Sequence, residues 1–468
     1  MNLNRRRSLK YVHHMAILLF TYASLYGAQP EADKQKPNVV IFFTDDQGTL
    51  DVNCYGSKDL YTPNMDALAE NGVRFTQAYA HQVCCPARAM LMTGRHPQRS
   101  DVNHWTQGDA KGRKTRNMHL EEITIAEALR DSGYKTAIFG KWHLGAHLDY
   151  GPTKQGFDEF YGIRGGFIDN YNHFFLHGNG FHDLYEGTKE VFAKDKYFPD
   201  SMTERALKYI DRNKNNPFFM YVAFNIPHYP EQADPKFDER YKDMKMPRQS
   251  YAKMISTTDD KMGQIITKLE EHGIKDNTII IFMSDNGHSR ERNHIKVKNH
   301  LSGLAEGTKY GALGGGGNTG KWRGQKSSFL EGGIRVPAVI SYPAKLPKAA
   351  VRDQAITAMD WMPTILDLCD IEQPQVKLDG KSLIDVIHNE SAESPHKVLY
   401  WQWHFSWAVR QGDWKLMGRG KQVTFLGKLD DAHPEKTNYL EQNPEVAKDL
   451  HKLYLEWAKE VKAPVGRK

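Results

Sequence analysis

Cys84 and Cys85 stand side by side ahead of Pro86, and Arg88 opens a short apolar run that Gly94 closes. The spacing predicts a helix starting at this pair. A thiol at a helix start faces unpaired backbone N–H groups and the positive end of the helix dipole, which favours a nucleophile or an anion. Adjacent Cα atoms lie about 3.8 Å apart, below the roughly 4.4 Å that disulfide geometry needs, so a bridge within the pair is disfavoured. Zinc normally takes spaced pairs, and neither Cys54 nor Cys369 has such a partner. A buried, inert cysteine is the plain alternative.

Other chemistry-bearing residues close apolar runs. Asn38 to Thr44 has the continuous apolar character of a strand buried on both faces, and it ends in Asp45-Asp46-Gln47-Gly48. Strand-like Lys135 to Phe139 delivers Gly140-Lys141-Trp142-His143, Phe218 to Phe224 leads to Asn225-Ile226-Pro227-His228, and Thr278 to Ser284 leads to Asp285-Asn286-Gly287-His288. Helix signals separate them. Thr62 caps a helix with Pro63 at its first position, Thr124 and Glu127 make a capping box, Ser201 caps a helix to about Arg212, and Tyr251 to His272 is amphipathic. Such alternation predicts an α/β fold with a mostly parallel sheet sandwiched by helices. Its strand-end residues would gather along the carboxyl edge, where open α/β sheets bind ligands.

The pattern C-x-P-x-R followed by T-G-R, here Cys84, Pro86, Arg88, Thr93, Gly94 and Arg95, closely resembles the signature of the type I sulfatases, members of the alkaline-phosphatase-like superfamily. Further motifs of that family follow in the expected order: Thr44-Asp45-Asp46-Gln47-Gly48, Gly140-Lys141-Trp142-His143-Leu144-Gly145, Pro227-His228, Ser284-Asp285-Asn286-Gly287, and Lys326 ahead of Glu331-Gly332-Gly333-Ile334-Arg335-Val336-Pro337. The resemblance runs from about Asn38 to Val461. Ala87 is a variant at a position where many relatives carry Ser.

The resemblance implies that Cys84, not Cys85, is oxidised by a separate formylglycine-generating maturation enzyme to Cα-formylglycine, whose hydrate is the nucleophile. It implies a metal held by Asp45, Asp46, Asp285, Asn286 and the modified Cys84. Three carboxylates and an amide form an all-oxygen set suited to Ca2+ or Mg2+, and Ca2+ is favoured over Mg2+ in an exported protein. Arg88 and Lys141 would steady the hydrate with His143 beside it, while Lys326 and His228 contact the sulfate and the leaving oxygen. One hydroxyl would attack sulfur, with Asp285 or a neighbour taking its proton and His228 or Lys326 protonating the departing alcohol. His143 would then deprotonate the second hydroxyl, expelling sulfate from the covalent intermediate. The expected substrate is a sulfated carbohydrate. Two other readings remain: a phosphate or phosphonate ester hydrolase of the same superfamily, and an unmodified, non-catalytic carbohydrate-binding protein.

The chain of 468 residues carries a formal charge of +6, but Arg5, Arg6, Arg7 and Lys10 lie in a basic-then-apolar N-terminus without acidic residues. Residues 1–28 read as a signal peptide. Without those four cations the charge is +2, leaving no electrostatic case for nucleic acid. The apolar run from Met15 to about Tyr26 is short for a membrane span. The expected protein is therefore exported, periplasmic or secreted, without a stable membrane anchor, by the Sec or the twin-arginine route.

A catalytic domain over 36–395 and a C-terminal subdomain over 396–468 are expected, the latter a small antiparallel sheet with one helix from Asn443-Pro444. Its aromatic segment, Tyr400 to Trp407, is expected to pack against the large domain. The glycine-rich stretch from His300 to Gly320 lacks phosphate-loop spacing and reads as an active-site loop. Phe167 to His182 reads as a loop over the site, and His288, with His294 or His300, as further candidate substrate contacts.

Overall fold

Strand β1 (Asn38–Thr44) is buried along its whole length and pairs in parallel on both sides. The computed structural model describes residues 36–108, 116–309 and 314–462; the signal-peptide reading of residues 1–28 lies outside them. The other strands of the main sheet are β2 (Val73–Tyr79), β3 (Lys135–Lys141), β4 (Glu159–Ile163), β5 (Tyr185–Glu186), β6 (Lys189–Glu190), β7 (Phe218–Ala223), β8 (Thr278–Ser284), β9 (Arg335–Ser341) and β10 (Ala350–Thr357). Their spatial order is β10-β2-β9-β8-β1-β7-β3-β4-β5-β6. The run β8-β1-β7-β3-β4 is parallel throughout, while β9 is antiparallel to both of its neighbours. The expected mostly parallel α/β sheet is present.

Helices cover both faces: α1 (Pro63–Glu70), α2 (Cys84–Thr93), α3 (Ile125–Asp131), α4 (Phe198–Asn213), α5 (Arg248–Glu271), the one-turn α6 (Glu331–Ile334), α7 (Trp361–Leu368) and α8 (Ile384–His388). Side chains of a strand alternate between faces. Accordingly Val39, Ile41 and Phe43 join a core with α2, α3, α7 and α8, while Val40 and Phe42 join one with α1, α4 and α5. The capping box at Thr124 forms as expected, with Thr124 Oγ1 accepting from Glu127 N–H and the Glu127 carboxylate from Thr124 N–H. Helix α4 starts at Phe198, ahead of the expected Ser201, because Pro199 sits in the first turn, where its missing N–H leaves no bond unmade.

A second sheet, β11 (Val398–Trp403), β12 (Ser406–Gln411), β13 (Trp414–Arg419) and β14 (Gln422–Lys428), is an antiparallel meander against which helix α9 (Pro444–Glu460) packs. Trp401 and Trp403 enter the core beneath the main sheet, and Trp401 Nε1 donates to Ala80 O at 2.9 Å. Trp407 instead stacks on Tyr454 of α9, 4.1 Å between centroids, and Phe405 is exposed. Among the described residues no helix is long and apolar enough to cross a membrane.

A glycine lets β3 approach β7 closely. Gly140 has φ +120°, and a Cβ there would lie 1.9 Å from Ala223 O of the neighbouring strand. Gly140→Ala is therefore expected to destabilise the protein by about 3 kcal/mol or more. Chemical denaturation checks this, and a loss under about 1 kcal/mol would show that the strands can part freely.

Candidate active site

Four parallel neighbours, β8, β1, β7 and β3, release their chains at one edge of the sheet. Strand spacing of about 4.8 Å brings their ends together. Thr44 pairs with Ser284, so Asp45 and Asp285 emerge side by side, and Asp285 N–H donates to Thr44 O at 3.1 Å. Asp46 turns back through a left-handed φ of +64°, and its N–H donates to Asp285 Oδ1 at 3.1 Å. Lys141 ends β3, with its Nζ 2.5 Å from Asp45 Oδ2.

Helix α2 aims its start at this edge. Val83 is extended, Cys84 begins the helix, and Gly94 closes it at φ +64°. All ten of its residues are buried, including Arg88. That guanidinium grips Asp285 Oδ2 through Nε at 3.2 Å and Nη2 at 2.8 Å, while Nη1 donates to Lys141 O and Tyr221 Oη. Ligand atoms of Asp45, Cys84 and Asp285 lie within 4.8 Å of one another, as do those of Asp45, Asp46 and His228.

The donor set fits a hard divalent cation. Among the described residues, Asp45 Oδ1 and Asn286 Oδ1 are buried without a hydrogen-bond partner. Burial first, and then neighbouring carboxylates, push Asp46 and Asp285 above the usual carboxylate range. A bound cation would relieve that repulsion and use the oxygens left unpaired. Asn286 Nδ2 donates to Asp46 Oδ1 at 2.6 Å, which leaves its amide oxygen available to a cation.

Burial pushes the Cys84 thiol up to about 12 despite Lys141 and Lys326 nearby, so it is a poor thiolate at neutral pH. The helix start does not by itself make this sulfur reactive.

Lys326 arrives from a loop, its Nζ 2.9 Å from Asp46 Oδ2 and 3.0 Å from Glu291 Oε2. Burial opposes its charge, yet Asp46 and Glu291 hold the ammonium well above its ordinary value. His228 follows Pro227, and its Nδ1 lies 2.7 Å from Tyr229 O. A carbonyl only accepts, so Nδ1 carries the proton and Nε2 faces Asp46 at 3.6 Å and Glu291 at 3.7 Å. Burial, then Lys326 and Lys141, lowers His228 and favours this neutral form. His143, at φ +53°, is likewise held neutral by burial and by Lys141 and Arg88, and neither ring nitrogen has a partner among the described residues.

Every catalytic and metal-ligand candidate from the sequence thus falls in one cluster: Asp45, Asp46, Cys84, Arg88, Lys141, His143, His228, Asp285, Asn286 and Lys326. Phe167 does lie over the site, stacked on His228 at 5.1 Å. The three further histidines do not join the cluster through their rings. His288 packs on Gly317, His294 bridges Lys309 through its backbone, and His300 packs on Gly180. The backbone at His288 does support the site, its O accepting the Lys326 N–H at 3.0 Å.

Two residues escaped the sequence. Glu291 lies in a charged loop, Ser289-Arg290-Glu291-Arg292, that reads as solvated. Trp105, 40% exposed, lies nearly parallel to the His143 ring at 6.2 Å and edge-on to Trp403. Its only signal was an isolated aromatic in a polar stretch.

Comparison with known proteins agrees with this geometry. The Sulfatase family model matches residues 37–371, and the model for the C-terminal part of N-sulphoglucosamine sulphohydrolase matches residues 321–456. An arylsulfatase of Hemicentrotus pulcherrimus is 31% identical over 422 residues, covering 85% of this chain and 70% of that protein. Arylsulfatase J of Mus musculus is 30% identical over 399 residues, which span 82% of this chain but 62% of the mouse protein. A crystal structure of Ps i-CgsB in complex with k-i-k-neocarrahexaose superposes with a TM-score of 0.78 at 28% identity, covering 92% of this chain and 94% of that one. With residues 37–371 matched to the Sulfatase family model, the chain belongs to the sulfatase family of sulfuric ester hydrolases.

Proposed function

We propose that this protein hydrolyses sulfate esters of a sulfated carbohydrate, using Cα-formylglycine at position 84 and a divalent cation, Ca2+ in preference to Mg2+. The observation that carries this reading is the placement of Cys84 at a buried helix start within ligand distance of Asp45 and Asp285, with Arg88, Lys141 and Lys326 around it. Oxidation of Cys84 would supply a hydrated aldehyde as nucleophile, and the cation held by Asp45, Asp46, Asp285 and Asn286 would supply Lewis-acid stabilisation.

The chain's own residues divide the remaining work. Arg88 fixes Asp285 and, with Lys141, places positive charge beside position 84. Lys326, held charged, binds the sulfate oxygens and is the group poised to give a proton to the leaving oxygen. His228, neutral with Nδ1 protonated, offers at Nε2 only an acceptor, so it is not the group that protonates the leaving oxygen. His143, neutral and with neither ring nitrogen hydrogen-bonded among the described residues, is placed to take a proton from the group at position 84. Phe167 and Tyr229 exclude water on the His228 side.

The carbohydrate assignment is supported by the saccharide in the Ps i-CgsB complex and by the match to the C-terminal part of a sulphohydrolase of N-sulphoglucosamine. Trp105 offers a partly exposed aromatic face beside His143 for a sugar ring. Trp105→Ala is expected to raise KM for a sulfated oligosaccharide about tenfold, measured by steady-state kinetics; an unchanged KM removes it from the binding site. Maturation by a formylglycine-generating enzyme, export, and a functional division near residue 396 belong to the same proposal. Rates on matched aryl sulfate and aryl phosphate esters test the reaction itself, and faster phosphate turnover would favour the phosphate or phosphonate ester alternative.

A further inference from the structure

Lys326 sits in a segment without regular secondary structure, and its neighbour Ser327 has φ +70°. A left-handed conformation at a non-glycine residue persists only where surrounding contacts impose it. Inside the segment, Lys326 N–H donates to His288 O and Ser327 N–H to Gln82 O. The ends are held from elsewhere. At one end Arg323 Nη1 donates to Glu435 O at 2.7 Å. At the other, Glu331 N–H donates to Glu435 Oε2 at 2.7 Å, and Lys415 Nζ donates to Phe329 O at 2.9 Å and to Glu331 Oε1 at 2.7 Å.

Lys415 on β13, Glu435 and Glu331 have fully buried side chains, with Lys415 Nζ also 2.6 Å from Glu435 Oε1. Arg335 Nε and Tyr79 Oη complete the shell around Glu331 Oε2 at 2.6 and 2.7 Å. A buried charge group of this kind stabilises a fold little better than apolar side chains of the same volume. It does specify position, because each oxygen and N–H has one geometry that satisfies it.

We infer that Lys415 and Glu435, contributed by the C-terminal region, are positioning residues for the reaction: they fix both ends of the Arg323–Glu331 segment and so hold the Lys326 ammonium at the sulfate. This rests on the assignment of Lys326 as a sulfate-binding residue. The small sheet thereby has a part in turnover although none of its residues joins the cluster around Cys84.

A double-mutant cycle in the matured full-length enzyme tests it, with formylglycine content at position 84 measured by mass spectrometry in each variant. Lys415→Met is expected to lower kcat/KM on an aryl sulfate about tenfold and Arg323→Ala about threefold, neither changing formylglycine content. In a Lys326→Ala background both losses are expected to vanish, because no ammonium is left to misplace. Arg323 is exposed, so Arg323→Ala is expected to fold even if Lys415→Met does not, and it then tests the hold of Glu435 on the segment through its carbonyl. Losses that persist undiminished in the Lys326→Ala background overturn this inference and leave the site reading intact. A Lys326→Ala enzyme with normal kcat/KM overturns the site reading and this inference with it. Where Lys326→Ala turnover falls below detection, the crystal structure of Arg323→Ala decides: displacement of Lys326 Nζ from Asp46 supports the inference, and an unchanged 2.9 Å contact overturns it.

Discussion

Cys84→Ala is expected to lower turnover by about 10,000-fold or more, the scale at which removal of a covalent nucleophile acts. Cys85→Ala is expected to leave most of it. The two residues are chemically alike and adjacent, so the contrast comes from direction. Cys84 opens α2 at the sheet edge, among Asp45, Asp285, Lys141 and Lys326. Cys85 points into the core with Ala89 and Trp142, and its sulfur lies 3.5 Å from His104 O. Replacing it by Ala removes one buried sulfur, at about 1 kcal/mol of stability, and touches no reacting group. Hydrolysis of an aryl sulfate by purified variants, with thermal melts to confirm folding, checks both. If Cys85 were the essential residue, the motif would have been placed one position out.

Stripping the metal is expected to be the next largest effect. Chelation should reduce turnover about 100-fold or more, and Ca2+ should restore it at lower concentration than Mg2+. The physical basis is the unusual density of buried negative charge: Asp45, Asp46 and Asp285 are essentially inaccessible to solvent, and Lys141, Lys326 and Arg88 do not engage every oxygen. Without a cation these buried carboxylates would face one another with their repulsion less well compensated. The stripped enzyme is therefore also expected to melt at a lower temperature, since any ligand of the native state alone raises stability. A chelated protein unchanged in both activity and melting temperature would refute the metal assignment.

Most of this centre was legible in the sequence because its residues close buried strands. A strand covered on both faces is a continuous apolar run, as in Val39 to Phe43, and polar residues just beyond such a run stand out. The parallel order of β8, β1, β7 and β3 then places Asp285, Asp45, His228 and Lys141 along one edge. Edge strands lack that signal. β10 carries Arg352, Asp353 and Gln354 around a bulge, and β14 alternates weakly, so neither was expected. Glu291 and Trp105 were missed for another reason: both lie in polar loops, and their place at the site depends on contacts with Lys326, His228, His143 and Trp403 that no local pattern encodes. The tethering of Lys326 by Lys415 and Glu435 was likewise out of reach, because a buried lysine in a strand reads locally as an exposed one.

The proposed nucleophile is one made from Cys84 after synthesis. Mass spectrometry of the peptide containing Cys84 and Cys85, from protein produced with a competent maturation enzyme, tests it most directly. The prediction is an aldehyde at position 84 and an intact thiol at Cys85. An unmodified thiol at position 84 in protein that still turns over sulfate esters would show that the reaction does not use the aldehyde.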